Sequence, residues 1–345
     1  MRQMCLTDRV MSRFDVFTMC NAIFDLQAEI DEQLLNDIGY SKGAMSLVDH
    51  DEQARIVPRI YDSIVNAEPG GSGANTAQGL ALLGCKACFM SCVGDDEHGQ
   101  LYRDGLVQRG VRANLKEISG TTGVCLVLIT PDAQRTMLTY LGQSREIGPD
   151  DVNLTDLRNS KYLYVTAYMW DTDLQKEAVL HAMGEANKAG VKVTLSLADP
   201  FCVNRHKDEL LDLLKKKVDI VCGNEHEAMA LTDTGDPLSA LKALKSHSEL
   251  AVVTMGPKGS WLCDSGEPVH ILPSPPVAID STGAGDLYMA GLLAGISYGA
   301  SLKSTGRLAS NVADIVIQKV GPRLNEDDLA SAELDLEAVV GNKSL

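Results

Sequence analysis

The chain is poor in aromatic side chains, with Phe, Trp and Tyr together only 5% of its 345 residues. It has no 18-residue apolar run, which argues against a membrane-spanning helix. The opening MRQMCLTDRVMSRFD is too polar and too often charged for a secretory h-region. Positive charge is also scarce: 31 Lys and Arg stand against 47 Asp and Glu, a formal net charge of −16. Such a field repels phosphodiester backbones and anionic lipid, so neither nucleic acid nor a membrane surface is expected as a partner. The dipeptide Gly-Lys occurs nowhere, which removes a Walker A loop. The nine cysteines are an odd number scattered through apolar stretches, as suits a reduced cytoplasm. Cys85, Cys88 and Cys92 sit in CKACFMSCV, which reads as a buried strand; no second CxxC follows, and core cysteines are the better reading. His98, His206 and His226 share no metal spacing.

What is present is the material of an ordinary soluble domain, 45% hydrophobic and 23% charged. Short β-rich runs alternate with amphipathic helical runs, the pattern of βαβ units in a doubly wound, mostly parallel α/β sheet with helices on both faces. Strands are expected at 14–19, 87–93, 162–166, 191–196, 219–222 and 250–254, with helices at 73–83, 208–216 and 238–246. Residues 27–48 and 114–140 break this rhythm with alternating apolar and polar positions, and VCLVLITPDAQRTMLTY reads as a hairpin turning at Pro131 and Asp132. The expected division is a large domain of 12–26, 49–113 and 141–345 with a small β lid of 27–48 and 114–140.

Chemistry concentrates at helix starts. In DSTGAGDLYMAGLLAG, small residues run directly into an apolar helix, leaving Gly283, Ala284 and Gly285 amides free for an anion and Asp286 in the first turn beside it. There the aspartate serves as a general base for phosphoryl transfer, or simply as a first-turn carboxylate. PGGSGANTA is a second glycine cluster opening a helix, where Gly70 and Gly71 allow close backbone approach and Asn75 supplies an amide. It fails as a dinucleotide fingerprint because Thr76 takes the third glycine position and VNAEP is no clear buried strand. In GNEHE, Asn224 and Glu227 lie three apart on one helical turn, as oxygen ligands to a hard cation or as a capping box. The loop TMGPKG, with Thr254, Gly256 and Gly259, falls at the carboxyl end of a parallel strand and reads as a ligand loop or a plain turn. The run Lys215, Lys216, Lys217 is a solvated helix end, and Tyr168, Met169 and Trp170 are an aromatic wall or core.

In this order the motifs resemble the ribokinase (PfkB) carbohydrate-kinase family, from the first strand to about Gly321, with GGSGANTAQGLALLG and DSTGAGDLYMAGLLAG matching its two glycine-rich signatures. Ser281 stands where the family usually has Thr. The likeness is greatest to the adenosine kinase branch, through CNAIFDLQAEID, with Cys20 in place of a glycine, and through LSLADPFCVNRHKDELL ahead of GNEHEA. This resemblance implies ATP and Mg²⁺ as cofactors, with Asp286 as catalytic base and Gly283, Ala284 and Gly285 as the anion hole. It implies that Arg135 reaches the transferring phosphate from the lid. Asn21, Asp25, Gly70, Gly71, Ser72, Asn75 and Met169 would meet the acceptor. Asn224, Thr254, Gly256, Gly259 and Asn311 would meet ATP, and Asn224 with Glu227 would organise Mg²⁺ largely through water. A monovalent cation such as K⁺ near Asp280 is a feature of many relatives.

The leading expectation is transfer of the γ-phosphoryl of MgATP to a primary hydroxyl, the 5′-OH of adenosine first. Tyr168, Met169, Trp170 and Met45 favour a flat, apolar acceptor. A ribose- or fructose-type sugar kinase is the alternative within the class, and a catalytically silent relative acting as a regulator is the alternative outside it. A cytoplasmic monomer or homodimer is expected.

Overall fold

Apolar strands with buried faces on both sides need helices above and below them, and that demand builds the larger layer of this molecule. The computed structural model describes residues 14–132, 134–274 and 278–331. The segment MRQMCLTDRVMSR lies outside them, as do the ends of the expected large domain. A nine-stranded sheet runs β14-β13-β12-β11-β10-β9-β1-β5-β6. Its strands are β1 (Phe14–Met19), β5 (Ala87–Gly94), β6 (Arg112–Ile118), β9 (Ser160–Thr166), β10 (Lys192–Ser196), β11 (Ile220–Asn224), β12 (Leu250–Thr254), β13 (Ser260–Cys263) and β14 (Val269–Ile271). All neighbours pair in parallel except β12 with β13 and β13 with β14. Two apolar clusters cover its faces, one around Val16, Phe89 and Leu292, the other around Phe17, Leu163 and Val193. The order reverses direction at β1, whose neighbours are β5 on one side and β9 on the other, so a crevice opens beyond the carboxyl ends of β1 and β9.

The second sheet has five strands, β3-β8-β7-β2-β4, comprising β2 (Ile23–Glu29), β3 (Met45–Leu47), β4 (Ile64–Gly70), β7 (Gly123–Ile129) and β8 (Arg135–Tyr140). β7 and β8 are the expected hairpin, closed where Thr130 N donates to Gln134 O at 3.0 Å. One face packs Phe24, Leu26, Leu126 and Leu138 into the core with Ile56 and Ile60 of the helix His50–Ile60. The other carries Asp25, Cys125, Val127 and Thr139 toward the large sheet.

Sheet membership departs from the sequence reading in three places. VNAEP lies within β4, an edge strand of the small sheet, where Pro69 costs no ladder bond; its burial is partial, which hid it. β6 belongs to the edge of the large sheet although it overlaps 114–140. Residues 27–48 contain a helix, Glu32–Ile38, capped by Asp31 and closed by Gly39. Seven residues with buried side chains only at Leu35 and Ile38 are too few to display a helical period. The expected helix 208–216 starts earlier, at Pro200, and runs to Lys217 with Lys215, Lys216 and Lys217 in its last turn. Among the described residues no helix is long and apolar enough to cross a membrane.

Candidate active site

DSTGAGD becomes a tight turn that opens the helix Ala284–Ser297. Gly283 caps it at φ +75°, and a Cβ there would collide with Pro322, so the turn is closed to any other residue on both conformational and steric grounds. Gly285 faces open space, since a Cβ on it would meet nothing within 4 Å. Ala284 N is turned to Ser281 O at 3.2 Å. The other glycines of the motif serve packing: a Cβ on Gly291 would come within 2.7 Å of Ala309 Cα on the adjacent helix.

The helix Ser72–Leu82, which follows PGG, packs beside this one. Ser72 Oγ donates to Asp286 Oδ1 at 2.6 Å, and Asn75 Nδ2 donates to Oδ2 at 2.9 Å. Thr76 Oγ1 donates to the Asp286 carbonyl at 3.1 Å. The two glycine-rich motifs, more than 200 residues apart in sequence, therefore meet on one carboxylate. Burial pushes the Asp286 carboxyl up to about 6, against the opposing effect of the Ser72 and Asn75 donors. Asn75 Oδ1 is buried and has no partner within the protein.

Asp25 reaches the same crevice from β2. It stands opposite Glu68 of β4, and its carboxylate lies against the Gly70 Cα, where any side chain would overlap it. Burial pushes Asp25 up to about 7; Arg323 lowers it, and the nearby Glu68 and Asp286 charges raise it. Arg323 itself forms an ion pair with Glu68. From β8, Arg135 crosses to the large sheet and bonds both Asp280 and Thr282, the first and third residues of DSTGAGD. Asp280 also accepts from Gly321 N at 2.7 Å and Thr282 N at 2.9 Å.

Farther along the strand ends, Asn224 and Thr254 sit side by side in register at the ends of β11 and β12. Asn224 and Glu227 form a full capping box: Asn224 Oδ1 accepts from Glu227 N at 2.9 Å, and Glu227 Oε2 accepts from Asn224 N at 2.9 Å. Asn224 Nδ2 donates to Glu227 Oε1 at 2.5 Å. Burial raises Glu227 to about 7, with the Asp199 charge adding to the effect. Asp199 caps the helix Pro200–Lys217, and its Oδ2 is buried with no partner. Ala198 before it is held at φ +71°. An unsatisfied buried carboxylate oxygen next to a second acid is a donor set that suits a hard, oxygen-seeking cation. The capping bonds already engage Asn224. Gly256 and Gly259 shape the turn after β12, where Met255 N donates to Gly259 O at 2.7 Å. Asn311 lies half-buried on the helix Leu302–Val316, which packs over β13 and β14 through Gly306.

Two expected acceptor residues have buried side chains turned to protein partners. Met169 is fully buried in the core of the large sheet, with Trp170, because the 3₁₀ turn Ala167–Trp170 folds both inward. Only Tyr168 of that triplet faces the crevice, among the charges of Asp199, Asp286 and Glu227. Asn21 is buried, its Oδ1 accepting from Gln175 Nε2 at 2.5 Å and from Ser144 Oγ at 3.2 Å. Sequence reasoning missed Asp199, Arg323 and Glu68. The Asp-Pro pair after an apolar strand marks Asp199 as an N-cap, but nothing local marks the other two. Asp171, Cys202 and His206 come within 4.8 Å of one another, though neither His98 nor His226 joins them. Asp171 accepts from Arg205 at 2.6 Å, and the Cys202 thiol donates to Ala167 O at 3.0 Å, so these groups have partners of their own.

A helix start left open at Gly285, a buried carboxylate beside it and an arginine reaching across from the second sheet suit a small-molecule kinase, and comparison agrees. The model of the pfkB family of carbohydrate kinases matches residues 46–329, and the chain belongs to that family. It is a phosphotransferase acting on a sugar or nucleoside hydroxyl, in a family that uses ATP and Mg²⁺. A probable sugar kinase from Rhizobium etli superposes with a TM-score of 0.88 at 35% identity, covering 96% of this chain and 100% of that one. An adenosine kinase from Sinorhizobium meliloti gives 0.86 at 36% identity, over 93% and 98%. A probable fructokinase of Arabidopsis thaliana is 29% identical over 73% of this chain and 82% of its own.

Proposed function

We propose that the protein transfers the γ-phosphoryl of MgATP to a primary hydroxyl of a nucleoside, adenosine first, with Asp286 as general base. The observation that carries this reading is the Asp286 carboxylate, held by Ser72 and Asn75 at the start of the Ala284–Ser297 helix. Asp286 would take the proton of the acceptor hydroxyl as that oxygen attacks, while the Gly283 and Gly285 amides and the helix dipole stabilise charge on the transferring group. Asn75 Oδ1, buried and without a partner in the protein, would accept from a water beside it. Asp25, beside the Gly70 backbone, would bind further hydroxyls. Arg135, already at the anion loop, would exchange Asp280 for phosphate. Asp199 and Glu227, with Asn224 through water, would hold Mg²⁺, which draws charge from the phosphates when bound. The 254–259 loop and Asn311 would line the nucleotide.

Support for a nucleoside over a sugar comes from the face that the small sheet turns to the crevice. Ile23, Cys125 and Val127 form a separate apolar cluster there, extended by Ile129, Met137 and Leu141. A polyhydroxylated sugar would leave hydroxyls unpaired against this face, whereas a base can stack on it. Next to it lies a cavity of about 500 Å³ whose walls include Leu47, Tyr140, Leu141 and Arg145. The sugar-kinase reading is favoured instead by the acidic pair Asp25 and Glu68, which suits several hydroxyls. Purified protein with MgATP, assayed for ADP release on adenosine, inosine, guanosine, cytidine, ribose and fructose, should turn over adenosine with the highest kcat/KM. Preference for ribose or fructose would establish the sugar reading. No turnover on any of them, with ATP bound, would point to a silent relative.

A further inference from the structure

Beside Asn75 a water-sized cavity of about 10 Å³ is walled by Asn75, Gln78, Arg109 and Arg323, with Leu287 and Pro322 among its apolar walls. Five buried polar atoms of three of these residues have no partner within the protein: Asn75 Oδ1, Gln78 Oε1, Gln78 Nε2, Arg323 Nε and Arg323 Nη2; Arg109, the fourth polar wall, donates to the Leu324 carbonyl. Asn75 and Gln78 are each only 5% exposed, and the Arg323 side chain 9%. Leaving five such atoms unsatisfied in one place would weigh heavily against the folded state. They are also chemically complementary, because Arg323 and the Gln78 amide can donate while Asn75 and Gln78 carbonyl oxygens can accept. One water in this space can accept from Arg323 and donate to Asn75 Oδ1 and Gln78 Oε1, and the volume meets the requirement for a single buried water.

We infer that Gln78 and Arg323 are positioning residues for the base, acting on Asn75 through one buried water. An Asn amide can rotate to present either end. With Oδ1 anchored on the cavity side, Nδ2 is committed to Asp286, as the 2.9 Å bond records. Arg323 meanwhile holds Glu68 of the small sheet, facing Asp25 across β2 and β4. The same arginine thus connects the acceptor-side carboxylates to the amide that orients Asp286. Its backbone follows Gly321 and Pro322, which brace Asp280 and Gly283, so one short segment supports the anion loop and the base together.

This inference rests on Asp286 being the base, and the test separates the two. Gln78→Met keeps the length of the side chain and removes both polar ends. Its kcat should fall roughly tenfold while KM for ATP holds, and the acidic limb of the kcat–pH profile should move to higher pH, because a donor that favours the Asp286 carboxylate is no longer fixed. A crystal structure of the wild-type protein should show an ordered water within hydrogen-bond reach of Asn75 Oδ1, Gln78 and Arg323. Should Gln78→Met fail to fold, Gln78→Glu serves instead: it keeps acceptors toward Arg323, and the water should persist. A folded Gln78→Met enzyme with unchanged kcat and an unmoved limb would overturn the inference, as would a dry cavity. If Asp286→Asn retains the wild-type limb, the base assignment fails instead, whatever Gln78 does.

Discussion

The two sheets equip the crevice in opposite ways. The nine-stranded sheet delivers its residues at strand ends, where a strand turns into a helix within a few residues, as at Asn224, Asp199 and Thr254. The five-stranded sheet delivers them from strand faces: Asp25 on β2, Glu68 on β4 and Arg135 on β8, which act together only because β-pairing lines them up. Strand-end groups are backed by helix dipoles and backbone amides and are complete once the local turn forms. Strand-face groups depend on the small sheet lying over the large one, as the Arg135 bonds to Asp280 and Thr282 record.

Removing the carboxylate at the start of the Ala284–Ser297 helix should hurt most. Asp286→Asn should lower kcat by about 10²–10⁴ with little change in KM for ATP, measured by steady-state ADP release. In the wild type, Asp286 must be ionised to act, so kcat should decline as pH falls through about 6; that decline should vanish in the variant.

Breaking the contribution across the crevice should cost less. Arg135→Gln should lower kcat by about 10²-fold, comparable to losing one strong donor to the transferring charge, while the folded state persists. An effect confined to KM for the acceptor would make Arg135 a latch on the small sheet and not a phosphate ligand.

Smaller still is the stability effect of Asp25. Its folded pKa of about 7 exceeds its ordinary value of 3.8, so the native state holds the proton more tightly than the unfolded chain. This group's stabilising contribution is complete at low pH and is lost as pH rises through about 7. Asp25→Asn should flatten that loss, raising Tm at pH 8 relative to wild type and much less at pH 5. The smallest change is expected at Met169: Met169→Leu, a volume-conserving core swap, should cost less than about 1.5 kcal/mol and leave acceptor KM unchanged. A rise in acceptor KM would return Met169 to the crevice.

Legibility in the sequence followed the same division. DSTGAGD, GGSGAN and GNEHE could be read as helix starts because small or capping residues directly before an apolar run mark one locally. Faces of the small sheet could not. β4 is half-exposed and carries a proline, so its alternation is weak, and Glu68 draws its meaning from pairing with Asp25. Arg323 is a lone arginine after a Gly-Pro turn, ordinary until it reaches Glu68. Met169 was misread for a related reason: in YMW every residue is apolar enough to line a pocket, and only the direction of the Ala167–Trp170 turn sends Met169 and Trp170 inward and leaves Tyr168 at the crevice.

By itself, the sequence determined the doubly wound sheet, most of its parallel strands, the turn at Gly283 and the carboxylate that follows it, since each is set by periodicity or by conformational freedom within a few residues. The tertiary structure alone decided that Ser72 and Asn75 would hold Asp286, that Arg135 would reach Asp280, and that Arg323 would stand between Glu68 and the cavity beside Asn75. Those partners are separated by more than a hundred residues. Their meeting depends on the direction in which each packed side chain leaves its strand or helix, which no local pattern records.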